Sequence, residues 1–339
     1  MIEETVFNNN EIKDQVLKNY NIKINQITHE SRGSANIFYI TDVENKKYVF
    51  KEFESRCKEE KILQEAEILY FLKNKKIDVP EYIRTVNNNF YFKYKNRIII
   101  LMKFIEGYSK NPNTGTYEQV IECANLHGKV TKALEEYKRF ESVDIEKWHK
   151  KRQILPAKAK YIELIKKLDN SEINKKIKSD FEYKLNLLEQ IEKMDFEGMQ
   201  HMTLKNCHGD FSVMQFIYEN EKIKALLDFE RAKYMPVSWE IIRSYTHIDE
   251  KCKNGNIDIK NLVDYVKTVM KYINLNKYDL KFMPYMYLLR LATSPYGYEE
   301  YINNTKLESL LEFGLWRTKM CKTLAENIKK IEIELEKLL

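Results

Sequence analysis

The sequence has little of what interrupts or cross-links a chain. Only 9 Gly and 6 Pro are spread over 339 residues, which excludes collagen-like repeats and the Gly- and Pro-rich composition of disordered segments. Five cysteines, at positions 57, 123, 207, 252 and 321, are odd in number and widely spaced, with no Cys-x-x-Cys pair. A disulfide framework and a cysteine zinc site are thereby excluded, and a reducing compartment fits. Long apolar runs are missing too: stretches such as Ile98-Ile99-Ile100-Leu101-Met102 fall far short of the roughly 20 residues that span a bilayer. The start, Met1-Ile2-Glu3-Glu4, is acidic where a signal peptide is basic and then apolar. A soluble, cytoplasmic protein is expected. Neither sign of charge dominates: 57 Lys and Arg against 51 Asp and Glu leave +6. Lys and Glu alternate in stretches such as Lys58-Glu59-Glu60-Lys61, so no basic block marks a nucleic-acid partner.

What is present is a core. With 43% apolar and 12% aromatic residues the chain can bury one, and its length predicts two domains or one two-lobed fold. Short runs rich in β-branched and aromatic residues predict strands over 25–30, 35–41 and 47–53 in an antiparallel meander, with Ser31-Arg32-Gly33-Ser34 and Glu44-Asn45-Lys46 at the turns. Residues 58–73 switch to helical spacing, and two further strands follow over 89–94 and 97–104. The polar loop after Gly107 is the best boundary, giving a first lobe over 1–104 and a mainly helical remainder over 105–339. Helices are expected over 117–138, 157–170, 173–196, 258–273, 280–293 and 305–338. Within that helical part, strands over 215–218 and 223–229 flank a turn at Glu219-Asn220-Glu221-Lys222 and predict a β-hairpin.

The hairpin carries the chemistry. His208-Gly209-Asp210 precedes its first strand, Gln215 lies five residues after Asp210, and Asp228-Phe229-Glu230 closes its second strand. Phosphoryl transfer needs oxygen ligands that hold Mg²⁺ against a polyphosphate and a carboxylate that orients the attacking hydroxyl. Carboxylates and an amide at the open end of a hairpin supply both. Taken singly, Asp210 and Asp228 are also ordinary turn formers, and Lys51 and Glu65 ordinary surface ion-pair residues. Their order along the chain gives them weight.

The arrangement His208-Gly209-Asp210-Phe211-Ser212-Val213-Met214-Gln215, then Leu227-Asp228-Phe229-Glu230, resembles the catalytic and metal-binding motifs of the aminoglycoside phosphotransferase and choline kinase superfamily, which includes kinase-like spore-coat proteins. The resemblance covers most of the chain and implies an α+β, protein-kinase-like two-lobed fold: a small antiparallel sheet in the N-lobe and a mainly helical C-lobe. It also implies an ATP-dependent phosphotransferase that needs Mg²⁺ and acts on the hydroxyl of a small molecule. Under it, Asp210 looks like the catalytic residue, and Gln215 and Asp228 like the metal ligands. Lys51 in Val49-Phe50-Lys51 looks like the lysine on the α- and β-phosphates, and Glu65 like the helix glutamate that pairs with it. Gly33 and Ser34 look like a reduced phosphate loop, and the segment around Lys103 and Ile105 like the hinge that meets adenine. The departure from the family pattern is Gln215, where the family has Asn, the same amide one methylene shorter.

The acceptor is expected in the helical part. Asp249, Glu250, Glu299, Glu300 and Glu312, with Tyr296, Tyr298 and Trp316, are candidates to receive an aminoglycoside or choline-like cation. Lys and Arg are equally abundant there, so a sugar or an anionic metabolite stays open. The other reading of the whole chain is a catalytically silent, kinase-like nucleotide-binding or spore-coat scaffold, with Gln215 and the short loop in its favour.

Overall fold

The structure is a computed structural model that describes residues 3–30, 35–144 and 153–339. The chain divides into two units, one formed by residues 1–109 with 215–231 and the other by 110–214 with 232–339. No described helix is long and apolar enough to cross a membrane, and all five cysteines are free.

The first unit is built on an antiparallel sheet of five strands, β1 (Ile24–Glu30), β2 (Asn36–Asp42), β3 (Lys47–Glu52), β4 (Phe92–Tyr94) and β5 (Arg97–Lys103), in the order β1-β2-β3-β5-β4. Helix α1 (Asn9–Tyr20) starts at Asn8, whose side chain accepts the Glu11 N–H in a reciprocal capping box. Its Ile12, Val16 and Tyr20 pack on Phe38, Phe50, Ile99 and Leu101 of the sheet. Neighbouring residues in a strand face opposite ways. With Phe50 in that core, Lys51 is therefore turned to the other face of the sheet. Helix α2 (Glu59–Asn74) buries Ile62, Ala66, Ile68, Leu69 and Leu72 and, unusually for a carboxylate, Glu65.

The hairpin of β7 (Phe216–Glu219) and β8 (Lys222–Leu226) belongs to this first unit, although the sequence places it among the helices. Two sets of backbone hydrogen bonds anchor it: Leu226 N–H donates to the Asp78 carbonyl at 3.0 Å, and Tyr108 and Tyr218 exchange bonds of 3.0 and 2.8 Å. The strand pairing at Tyr108 requires glycine next to it. At Gly107 (φ +145°) an added Cβ would sit 2.4 Å from the Tyr218 carbonyl oxygen. The turn residues Asn220 and Glu221 both have positive φ, 50° and 63°, as a two-residue turn matched to strand twist demands.

The second unit is mainly helical. Its helices are α3 (Tyr117–Leu134), α4 (Ile154–Ile165), α5 (Glu172–Glu192), α6 (Val237–Ile248), α7 (Ile259–Val269), α8 (Lys277–Ala292), α9 (Tyr298–Asn303) and α10 (Glu308–Glu336) among the described residues. Helix α8 is buried on nearly every side, from Leu280 through Ala292, as expected of a helix at the centre of its unit. A short antiparallel ribbon of β6 (Leu204–Cys207) and β9 (Lys233–Pro236) leads into the His208 loop at one end and α6 at the other. The observed architecture is α+β, with an antiparallel N-terminal sheet and a helical C-terminal part, as the sequence predicts.

Candidate active site

In the first unit the fold brings four of the expected residues together. Lys51 on β3 is buried, and its Nζ lies 3.9 Å from Asp228 Oδ1 and 4.6 Å from the Phe53 ring centroid. Burial disfavours the Lys51 charge, but the carboxylates of Asp228, Glu65 and Glu230 outweigh it and raise its pKa above the usual lysine value. Asp228 itself has φ +62°, a left-handed backbone rare outside glycine and concentrated at functional sites. This conformation ends β8 at Leu226, short of the expected strand end at Phe229. Asp228 Oδ1 is buried and has no hydrogen-bond partner. Gln215 is held beside it by the hairpin: the Gln215 carbonyl accepts the Leu227 N–H at 2.8 Å.

Glu65 does something the sequence did not indicate. Its Oε1 accepts the Phe229 N–H at 3.0 Å, and its Oε2 accepts the Tyr82 hydroxyl at 2.7 Å. Glu65 thus grips the residue after Asp228, while the ion pair of Lys51 is with Asp228. Burial raises the Glu65 pKa, against the attraction of Lys51. Glu65 fixes the peptide that carries Asp228, and its link to Lys51 is electrostatic at longer range.

The unit's other expected residues are Lys103 and Ile105 at the end of β5, and Gly33 and Ser34. The Lys103 N–H is already given to the Glu81 carbonyl at 2.9 Å, and its ammonium pairs with the Glu81 carboxylate at 2.6 Å. That leaves Ile105, just beyond the strand, as the available backbone. Gly33 and Ser34 lie outside the described residues.

Asp210 belongs to the second unit and is set by α6. Arg243 donates from Nη2 to Asp210 Oδ1 in a part-buried ion pair, and the Asp210 N–H donates to His208 Nδ1 at 3.2 Å. Gly209, at φ +84°, supplies the left-handed step of the loop. The organiser is Glu240 on α6. Its Oε1 accepts the Gly209 N–H at 2.5 Å and its Oε2 the His208 N–H at 3.2 Å. His127 Nε2 lies 3.4 Å from the same carboxylate, and its ring stacks on Phe211 at 4.3 Å. Burial pushes the Glu240 carboxyl up, yet His127, His208 and the Gly209 N–H overcome it and hold the pKa below the usual value. The available signal was a lone carboxylate between Trp239 and Ile241-Ile242.

Most carboxylates nominated for a cationic acceptor are engaged elsewhere. Asp249 is buried and accepts from Tyr245 Oη and Asn261 Nδ2, both at 3.0 Å. Glu299 pairs with Lys160 at 2.8 Å, and Glu300 accepts the Gly297 N–H at 2.6 Å at the start of α9. Tyr298 is buried and donates to Asp180 at 2.6 Å.

A family model of the phosphotransferase enzyme family (APH) matches residues 27–253. The chain belongs to that family. Solved structures agree in fold. Spectinomycin phosphotransferase APH(9)-Ia, in complex with ADP and spectinomycin, superimposes with a TM-score of 0.65 at 16% identity, over 95% of this chain and 100% of that one. An aminoglycoside phosphotransferase from Alicyclobacillus acidocaldarius gives 0.64 at 15% identity, covering 98% of each chain. Choline kinase from Cryptosporidium parvum gives 0.59 at 13% identity, covering 92% of each. No curated protein sequence matches. The match to the phosphotransferase family spans the Lys51, Glu65, Asp210, Gln215 and Asp228 positions alike.

The residues around Asp228 fit a divalent cation. A buried carboxylate oxygen that makes no hydrogen bond, on the residue after Leu227, whose N–H is bonded to the backbone of the amide-bearing Gln215, suits a hard ion that takes one or two protein ligands and completes its shell with phosphate and water oxygens. Among the described residues no group of three or more His, Cys, Asp or Glu forms a closed metal cage.

Proposed function

We propose that the protein is an ATP-dependent phosphotransferase that transfers the γ-phosphoryl group to a hydroxyl of a small molecule. The buried Asp228 oxygen that makes no hydrogen bond, 3.9 Å from the buried Lys51 ammonium, carries this reading: an oxygen ligand and a cation side by side are what a metal-bound triphosphate would complete. Family membership supports it. In this reading Lys51 neutralises the α- and β-phosphates, and the backbone at Ile105 meets adenine. Asp228 and Gln215 would hold Mg²⁺, which when bound offsets charge on the β- and γ-phosphate oxygens. Glu65 keeps Asp228 in place through the Phe229 N–H. Asp210, oriented by Arg243 and by a loop tied to Glu240, takes the proton of the acceptor hydroxyl as its oxygen bonds to phosphorus and the bond to the ADP leaving oxygen breaks. Such catalysis is positioning and electrostatics rather than covalent chemistry.

The test is phosphate transfer from γ-labelled ATP to a panel of aminoglycosides, choline, ethanolamine, homoserine, ribosides and hydroxy acids. A labelled product with wild type, formed on the order of 10²- to 10⁴-fold more slowly by Asp210→Asn, is expected. ATP that stabilises the protein, with no transfer to any acceptor, would replace this reading with the silent nucleotide-binding scaffold.

A further inference from the structure

We propose that the acceptor carries an anionic group, a carboxylate or phosphate, which is received by Arg243 and Arg317 in the second unit. The proposal rests on the phosphotransferase reading and names the chemistry of its acceptor.

Arg243 and His247 lie one helical turn apart on α6, and Phe313, Trp316 and Arg317 share a face of α10. The His247 ring joins the two helices, 5.1 Å from Trp316 and 6.1 Å from Phe313. The Arg317 guanidinium sits 5.6 Å from the Phe313 ring centroid. Arg243 and Arg317 approach one cluster: Arg243 is one turn from His247, whose ring lies against Phe313 and Trp316, the residues just before Arg317 on α10, and both guanidinium groups act on His247. Each keeps a buried nitrogen without a hydrogen-bond partner, Nη1 of Arg243 and Nε of Arg317. Arg243 spends its Nη2 on Asp210, so one guanidinium faces the proposed base and has a further donor to give.

Charged donors buried without partners, close to another charge of the same sign, are unfavourable unless something supplies the missing acceptor. A planar carboxylate or a phosphate does so with paired N–H···O bonds. Of the carboxylates nominated for a cationic acceptor, Asp249, Glu299 and Glu300 are committed to internal partners. His247 is not a third cation. Burial, with repulsion from Arg243 and Arg317, lowers its pKa to about 3. Aromatic rings of Phe313 and Trp316, stacked at 5.8 Å, would flank the carbon skeleton. A polyamine acceptor would meet guanidinium where it needs carboxylate.

The experiment reads anion binding apart from turnover. Inorganic phosphate is titrated against wild type, Arg317→Gln and Arg317→Lys at constant ionic strength, with and without Mg·AMP-PNP, and the melting temperature is followed. Expected is a saturable rise in wild type, lost in Arg317→Gln and partly kept in Arg317→Lys. Ethanolamine at the same concentrations should produce none. Comparing variants removes the general stabilisation by excluded salts. In transfer assays Arg317→Gln should raise KM for a hydroxy acid on the order of 10- to 100-fold, as loss of a charge-assisted bond predicts, with KM for ATP unchanged. Identical phosphate curves in all three proteins, or efficient transfer to amines but not to hydroxy acids, would overturn the proposal. Absence of any shift with Mg·AMP-PNP would instead count against the phosphotransferase reading, since the phosphate titration is read without nucleotide as well.

Discussion

Glu240 is the sharpest place to perturb the loop that holds Asp210. Glu240→Gln keeps the shape but replaces one carboxylate oxygen by an amide nitrogen. The carboxylate now accepts two loop N–H groups, from Gly209 at 2.5 Å and His208 at 3.2 Å, so in the variant one of these donors faces another donor. A charge-assisted hydrogen bond contributes about 1.5–3 kcal/mol, and a buried unsatisfied N–H costs about 1–3 kcal/mol. The two descriptions overlap, so the expected loss is about 1.5–3 kcal/mol at neutral pH. It should be pH-dependent in a definite sense. The folded Glu240 pKa lies below the ordinary value of 4.5, so its contribution is present above the unfolded pKa and disappears as pH falls through the folded one. Urea unfolding of wild type and variant from pH 7 to pH 3 should show a constant gap down to about pH 5 that then closes as wild type protonates. A displaced loop also misplaces Asp210, and an error near 1 Å costs roughly 10²-fold in kcat. Equal stability at pH 7, or a gap that persists unchanged at pH 3, would refute the role given to Glu240.

Asp210, the Lys51–Glu65 pair and Gly107 can be tested in turn. Asp210→Asn should lower kcat by on the order of 10²- to 10⁴-fold while ATP still stabilises the protein in a thermal-shift assay. Lys51→Ala should weaken ATP binding by isothermal titration, and Glu65→Ala, which removes the acceptor of the Phe229 N–H, should raise the Mg²⁺ requirement more than it weakens binding of metal-free ATP. The double variant should lose less than the sum of the two, because residues in one network are not additive. Gly107→Ala would place a Cβ 2.4 Å from a backbone carbonyl oxygen at φ +145°; a loss of several kcal/mol in urea unfolding is expected, and a neutral result would mean the Tyr108–Tyr218 bridge is not needed.

Much of this was legible in the chain because it is local. The switch to helical spacing predicts 58–73, and α2 runs Glu59–Asn74; the hairpin turn at Asn220-Glu221 was marked by its polar residues. What was misplaced depended on turn bonds, very short pairings or partners distant in sequence. The strand expected over 89–94 begins only at Phe92, because Asn88 and Asn89 close a turn onto Thr85, with bonds of 2.8 and 3.1 Å. The helix expected to 138 stops at Leu134, since Asn206, some seventy residues on, accepts into its side chain the Phe140 N–H and donates to the Leu134 carbonyl. The β6–β9 ribbon has four-residue strands, one ending in Pro236, and no periodicity reveals pairing that short. Sequence order brought forward Lys51, Glu65, Gln215 and Asp228, which the fold gathers in one unit. It could not show that Glu65 holds the Phe229 peptide, or that Glu240 is turned inward, because a single carboxylate on a helix reads as solvated until its partners are seen.

The most direct measurement of the central claim follows the melting temperature during an Mg²⁺ titration at fixed ATP, for wild type, Gln215→Ala and Asp228→Asn. Ligand bound only by the native state adds RT ln(1 + [L]/Kd), about 2.7 kcal/mol at one hundred times Kd. Wild type should show a saturable rise that EDTA reverses. Gln215→Ala should need markedly more Mg²⁺, and Asp228→Asn should lose the metal-dependent part altogether. Three superimposable curves would remove both residues from the metal site and contradict the account.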